Sequence, residues 1–318
     1  MSLLAVRDLR VDFPAGTALR GLSFDLERGE RLGVAGESGS GKTLAALALM
    51  GMLPEGARAS GEILFDGHPV SSLSETGWTA LRGRRIAMIF QEPMSALNPL
   101  QQIGRQITET ILWHEAVTRA EAARRALALM TEVGMPDPEA RLRMYPHALS
   151  GGQRQRALIA MALACNPDLL LADEPTTALD ATRTVQVLDL LRKLAQTRGM
   201  ALMLISHDLA AIERVSERVL VLYGGDLMEA GPAGAVLADP AHPYTQGLIA
   251  ARPRPRPPGT PRRALPTIPG TVPGLANLPQ GCRFYGRCAQ AVPGCADARP
   301  ALRQTGEGRV LRCVRALG

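Results

Sequence analysis

Residues Gly36–Thr43 read GESGSGKT, with glycines at Gly36, Gly39 and Gly41 set around Ser38 and Ser40 and followed by Lys42 and Thr43. Glycines so spaced let the backbone curl until several N–H groups point at one centre, which makes a cradle for phosphate. The apolar run Arg31–Ala35 predicts a buried strand before the loop, and TLAALALM from Thr43 predicts a helix after it. The turn between them opens a helix whose positive end faces an anion. Lys42 then reaches the β- and γ-phosphates of ATP, the Thr43 hydroxyl ligates Mg²⁺, and Leu44 follows in the first helical turn. Lys42 and Lys193 are the only lysines among 36 basic residues, which sets Lys42 apart. A glycine-rich turn without nucleotide is the bland alternative.

Two further stretches belong to the same chemistry. Leu169–Ala172 (LLLA) predicts a second buried strand, ending in Asp173 and Glu174. Asp173 would hold Mg²⁺ and Glu174 would polarise the attacking water. An isolated Asp-Glu pair reads more simply as a solvated strand end, but a phosphate loop on a similar strand upstream favours the chemical role. Leu149–Arg156 reads LSGGQRQR: Ser150 is a good N-cap, Gly151 and Gly152 leave the backbone bare, and Gln153–Cys165 predicts a helix. A bare helix start is a second anion site, one more than a single ATP needs.

Together GESGSGKT, LSGGQRQR and LLLADEP resemble the nucleotide-binding domain of ABC ATPases. The resemblance implies that Ser150, Gly151, Gly152 and Gln153 cap the γ-phosphate of an ATP held by an opposite domain, so that two domains enclose two ATPs. With one set of motifs and no internal repeat, the chain is expected to dimerise. Gln91 in IFQEPMSALNP resembles the Q-loop glutamine, which senses Mg²⁺ and the attacking water and touches the membrane subunit. Asp180 in TTALD resembles the D-loop residue at the dimer interface, and His207 in LMLISHD the switch histidine at the γ-phosphate. Taken alone, a glutamine after a strand reads as a surface residue and a lone histidine as structural. His68, His114, His147 and His242 lack the strand-end setting of His207. The family also places an aromatic that stacks on adenine in the exit turn of the first strand, which implies Phe13, with Phe24 nearby and a core role as the other reading. Trp78 and Trp113 read as packing or interface residues.

These motifs need an α/β scaffold to hold them. The expected fold is a P-loop ABC ATPase domain over residues 1–250: a mostly parallel sheet flanked by helices, an antiparallel β subdomain and a helical subdomain at about 93–149. Strands are predicted at Arg85–Phe90, Asp168–Ala172, Ala201–Ser206 and Arg218–Tyr223, with helices at Ala181–Arg198 and Leu209–Val215. Between Pro93 and Leu149 strand patterns stop. Gln101–His114 reads as a helix, and Thr118–Gly134 as another opened by a Thr118/Glu121 capping box. The 318 residues are 46% hydrophobic, enough for a core, yet no apolar run approaches the roughly 18–20 residues of a membrane helix. MSLLAVRDLRVDF alternates like a strand and carries early charges, which excludes a signal peptide there. The expectation is a chain that is soluble or peripherally bound.

After Ala250 the composition changes. RPRPRPPGTPRR (Arg252–Arg263) predicts an extended, polyproline-like linker, and residues 251–318 carry twelve arginines against Asp297 and Glu307. So basic a tail could face nucleic acid, anionic lipid or an anionic cofactor. It also holds Cys282, Cys288, Cys295 and Cys313, while Cys165 reads as packing. Four clustered cysteines without a secretion signal favour metal over disulfides, and their spacing leaves zinc, a [4Fe–4S] cluster or ordinary thiols open. HPYTQGLIAA, IPGTVPGL and GCRFYGRC resemble the C-terminal extension of peptide/nickel-type ABC importers. That likeness implies a small Cys-rich module and favours iron–sulfur over zinc. It further implies a peptide importer at the cytoplasmic face of the bacterial inner membrane. The partners would be a second, identical or homologous ATP-binding subunit, two permeases and, indirectly, an extracytoplasmic solute-binding protein. The alternatives are the same machine carrying nickel, glutathione or another small solute and, more distantly, a non-transport ABC ATPase acting on nucleic acid. The absence of a second cassette and the scarcity of aromatics in the tail weigh against nucleic acid as a partner.

Overall fold

The structure, a computed structural model, describes residues 2–91, 96–177, 179–253, 266–306 and 308–315. The predicted linker lies outside the described residues from 254 to 265, as do 92–95 of the Gln91 motif and Ala178 of TTALD. In chain order the strands are β1 (Leu4–Phe13), β2 (Gly16–Leu26), β3 (Arg31–Ala35), β4 (Arg58–Phe65), β5 (His68–Pro69), β6 (Ile86–Ile89), β7 (Leu169–Asp173), β8 (Ala201–Ser206), β9 (Arg218–Tyr223), β10 (Asp226–Pro232), β11 (Arg303–Gln304) and β12 (Val310–Leu311). The helices are α1 (Lys42–Leu49), α2 (Glu75–Leu81), α3 (Ile103–His114), α4 (Arg119–Glu132), α5 (Pro138–Leu142), α6 (Gly151–Ala162), α7 (Ala181–Arg198), α8 (Leu209–Val215), α9 (Ala233–Ala238), α10 (Pro243–Ala250) and α11 (Gly294–Asp297). The chain forms two compact units. One comprises Met1–Leu4, Leu26–Arg31 and Leu64–Ile205; the other comprises Ala5–Asp25, Leu32–Ile63 and Ser206–Gly318.

In the first unit β6, β7 and β8 run parallel, with Ile86 opposite Leu169 and Leu169 opposite Ala201. Leu169–Ala172 and Ala201–Ile205 are wholly buried, as continuous apolar strands in a parallel sheet must be. Among the described residues no strand lies between β6 and β7, where α3, α4 and α5 stand. Helix α3 buries Ile103, Ile107 and Ile111, four residues apart and so on one face. Its Gln106 side chain ties down the preceding turn: the amide donates to Asn98 O and Gln101 O, both at 3.0 Å, and its oxygen accepts the Asn98 N–H at 2.9 Å. At the start of α4 the Thr118 hydroxyl accepts the Glu121 N–H, as expected of a cap, but the Glu121 carboxylate takes bonds from Arg124 and Arg125 instead.

In the second unit one sheet runs β11-β12-β10-β9-β3, and β2, β1 and β4 lie side by side in another. Strands β3 and β9 are parallel, whereas β9–β10, β10–β12 and β11–β12 are antiparallel. The expectation of a separate Cys-rich module is corrected here. The tail adds β12 and β11 to the sheet beside β10, with Glu229 opposite Leu311, and shares a compact unit with β3 and α1. The buried Asp226 carboxylate joins three distant parts of this unit by accepting from Arg20 of β2 and from Arg299 of the tail.

Candidate functional site

In the second unit β3 ends at Ala35 and the chain turns at Gly36. A Cβ on Gly36 would fall 2.2 Å from Leu222 O and 2.7 Å from Ser40 Oγ, so no other residue fits there. Gly39 (φ 78°) and Gly41 (φ 97°) take left-handed backbone, and nothing stands within 4 Å of a Cβ on Gly39, which leaves the loop open above it. Gly41 caps α1 without a side chain, and no acidic residue sits in the first turn, so the helix start remains available to an anion. Lys42 is buried and its Nζ donates to Gly36 O at 2.8 Å and Glu37 O at 2.9 Å. Ser38 and Thr43 are exposed, Leu44 is half-buried, and Ser40 is buried with its N–H on Glu37 O at 3.2 Å. This cradle fits a nucleotide's phosphates. Phe13 ends β1 half-buried, whereas Phe24 is in the core, so of the two only Phe13 has a partly open ring. His207 follows β8 and is exposed, just before the Asp208 cap of α8.

In the first unit Asp173 closes β7 and is buried, and Glu174 follows half-buried. The Glu174 backbone takes a left-handed φ of 45°, unusual for a residue other than glycine, and its N–H donates to Ile205 O at 2.9 Å. Its carboxylate accepts from Thr177 Oγ1 at 3.2 Å and from Gln91 Nε2 at 3.4 Å. Two residues singled out separately in the sequence are thus in contact. Ser150 caps α6 in a complete box, with its hydroxyl accepting the Gln153 N–H at 3.4 Å and its own N–H donating to Gln153 Oε1 at 3.0 Å. The helix therefore begins at Gly151, two residues earlier than expected. It also stops early, at Ala162, before Asn166 turns left-handed (φ 49°) ahead of Pro167. Ser150 and Gly151 are exposed and Gly152 and Gln153 half-buried. Asp180 caps α7 by accepting the Arg183 N–H at 2.9 Å.

Residues 19–177 match a family model described as ABC transporter, and residues 228–295 one described as oligopeptide/dipeptide transporter, C-terminal region. The chain is 44% identical over 318 residues to the oligopeptide transport ATP-binding protein OppD of Escherichia coli (strain K12), covering 99% of this chain and 93% of that one. The chain belongs to the ABC transporter ATP-binding family. The dipeptide transport ATP-binding protein DppD of the same organism is 42% identical over 318 residues, with 98% of this chain and 96% of that one covered. Among solved structures, the ATP-binding cassette MJ0796, a dimer in a post-hydrolysis state bound to ADP and Pi, is 27% identical. It has a TM-score of 0.64 and covers 72% of this chain and 98% of its own. As a member of the family, the chain is an ABC-type ATPase.

The C-terminal region of this ABC subunit departs from expectation in two ways. First, its described arginines are engaged within the unit. All seven arginines described between 266 and 315 donate hydrogen bonds within the unit: Arg283 to Gly224 O and Thr17 O, Arg287 to Glu37, Arg299 to Asp226, Arg303 to Cys313 O, Arg309 to Glu229, Arg312 to Leu227 O and Pro300 O, and Arg315 to Gln290 O. Second, the iron–sulfur or zinc expectation finds no support among the described residues. Cys282, Cys288, Cys295 and Cys313 do line one pocket, with His242 and Phe284. Burial pushes the Cys282 thiol up to about 11 and that of Cys288 in the same direction. Among the described residues no group of three or more His, Cys, Asp or Glu side chains could hold a metal ion. Cys282, Cys295 and Cys313 are buried and Cys288 is half-buried.

His242, at the rim of the same cavity, has a consequence for acid stability. Its Nδ1 accepts the Tyr244 N–H at 3.0 Å, and its own N–H and that of Ala241 donate to the Glu229 carboxylate. Burial lowers its pKa from 6.5 to about 4, against the opposing pull of Glu229 and of a hydrogen bond with the Arg312 backbone. Between these values the unfolded chain takes up a proton that the fold rejects, so stability is complete above pH 6.5 and falls as the pH drops toward 4. The loss is about 3 kcal/mol. Urea unfolding at pH 7.0 and 4.5 should show it, and His242→Gln should flatten that part of the acid limb. An unchanged slope in the variant would assign the acid loss to other groups.

Proposed function

We propose that this chain is the ATP-hydrolysing subunit of an ABC importer for di- and oligopeptides. The observation that carries the reading is the match of both regions, cassette and C-terminal, to peptide-transport ATP-binding proteins over nearly the whole length. In this reading residues 1–250 are the cassette, with its helical subdomain at about 93–149, and residues 251–318 are the extension. Gly36–Thr43 with Leu44 hold the ATP phosphates, and Phe13 stacks on the adenine. Thr43, Gln91 and Asp173 would hold Mg²⁺, which would supply charge neutralisation at the phosphates. Glu174 takes the proton of the attacking water, Gln91 orients that carboxylate, and His207 binds the γ-phosphate. Ser150, Gly151, Gly152 and Gln153, with Asp180, serve the ATP of a second ATP-binding subunit.

The further partners are two membrane permeases and, through them, a solute-binding protein on the far side. Among the described residues no helix is long and apolar enough to cross a membrane, in keeping with attachment through those subunits at the cytoplasmic face. The test is capture of the tagged Glu174→Gln protein with ATP from gently solubilised membranes. Co-purification of two multi-spanning permeases and a peptide-binding protein is expected. Recovery of ribosomal proteins or nucleic acid, without permeases, would overturn the transport reading.

A further inference from the structure

The phosphate loop is held from outside by the C-terminal region. Arg287, whose side chain is 7% exposed, donates to both carboxylate oxygens of Glu37, Nη1 to Oε2 at 2.5 Å and Nη2 to Oε1 at 3.0 Å. Tyr244 Oη accepts the Glu37 N–H at 2.8 Å. Glu37 O in turn accepts both Lys42 Nζ and the Ser40 N–H. One residue of the loop therefore has three of its groups bound: carboxylate and N–H to the tail side, carbonyl to the loop's own lysine.

The clamp is itself rigid. The Arg287 guanidinium also donates to Pro269 O at 2.7 Å, Gly270 O at 3.0 Å and Tyr223 Oη at 3.3 Å, and lies over the Tyr223 ring at 5.6 Å. Tyr223 meets Tyr244 and Phe284 edge to face at 4.8 and 5.1 Å. A bidentate arginine–carboxylate pair fixes geometry as well as charge, and a fixed loop need not be ordered when its ligand arrives.

We propose that Arg287 and Tyr244 are positioning residues for nucleotide binding, holding Glu37 so that Gly36–Thr43 keeps its phosphate-binding curvature and Lys42 its place. The tail then sets the affinity of the loop for MgATP without touching the nucleotide. This rests on the reading of Gly36–Thr43 as the ATP loop.

The test measures MgATP affinity and steady-state hydrolysis on the full chain. Arg287→Gln should weaken MgATP binding about tenfold while kcat at saturating ATP changes less than about twofold. Glu37→Gln should also weaken MgATP binding, and the double variant should bind no more weakly than either single one, because both remove the Arg287–Glu37 interaction. Arg287→Lys, which keeps the charge but not the fork, should recover part of the affinity. Unchanged affinity in Arg287→Gln would overturn the proposal. So would additive losses in the double variant, or a fall in kcat matching the rise in KM. Lys42→Ala separates the two levels: it should lose ATP outright, and normal binding there would sink the loop reading itself rather than the clamp.

Discussion

Glu174→Gln should lower ATP turnover about 10³-fold and leave ATP binding in place, a magnitude within the range that a positioned general base supplies. Gln is nearly isosteric and can still accept from Thr177 Oγ1 and meet Gln91, which the carboxylate does at 3.2 and 3.4 Å. The left-handed backbone at Glu174 (φ 45°) is held by the N–H bond to Ile205 O, which the substitution leaves intact. What disappears is the ability to take a proton from water. Bound ATP should then persist, and size-exclusion chromatography with ATP should show the variant shifted to dimer relative to the unsubstituted chain. Hydrolysis at the normal rate would remove Glu174 from its role and leave its strained backbone without an account.

Asp226→Ala should destabilise the fold by about 3–5 kcal/mol, the scale expected when one partner of a buried ion pair is removed. Asp226 is 1% exposed and accepts from Arg20 Nε at 3.1 Å, from Arg20 Nη2, and from Arg299 Nε at 3.0 Å. Without it the Arg20 guanidinium stays buried, with only Gln280 O at 2.7 Å and Gly281 O at 2.9 Å to accept from it. The loss should appear as a lower urea midpoint at pH 7. A shift worth under about 1 kcal/mol would mean that those carbonyls suffice for Arg20 and that Asp226 is dispensable.

Features set by local patterns were legible in the sequence. Local patterns placed β3, β8, β9, α7 and α8 at their observed bounds, because propensity and burial agree there. Ser150 was recognisable as a cap, but the return bond from Gln153 was the second half of the same S-x-x-Q pattern and would have placed the helix start correctly. The rest depends on pairings far apart in the chain. No local signal joins Glu37 to Arg287 across 250 residues, or Arg20 to Asp226 across 206. The arginines described between 266 and 315 looked like a basic arm because their acceptors are mainly backbone carbonyls, which composition does not reveal. The four cysteines suggested ligands because they cluster in the tail, and clustering in sequence does not define a ligand set. Glu174's left-handed backbone is likewise set by β7 and β8 together and not by its own residue type.

The unit that carries the phosphate loop is assembled from three stretches of chain, and this has a consequence for its birth. Arg20 is made early, yet its acceptor Gly281 O lies 261 residues later. At ordinary elongation rates that gap is roughly 10–50 s, during which this bond of Arg20 has no acceptor. The unit built from Leu64–Ile205 can condense first, while Ala5–Asp25 and Leu32–Ile63 wait. A nascent chain halted before residue 281 should therefore be the form that chaperones hold and proteases find.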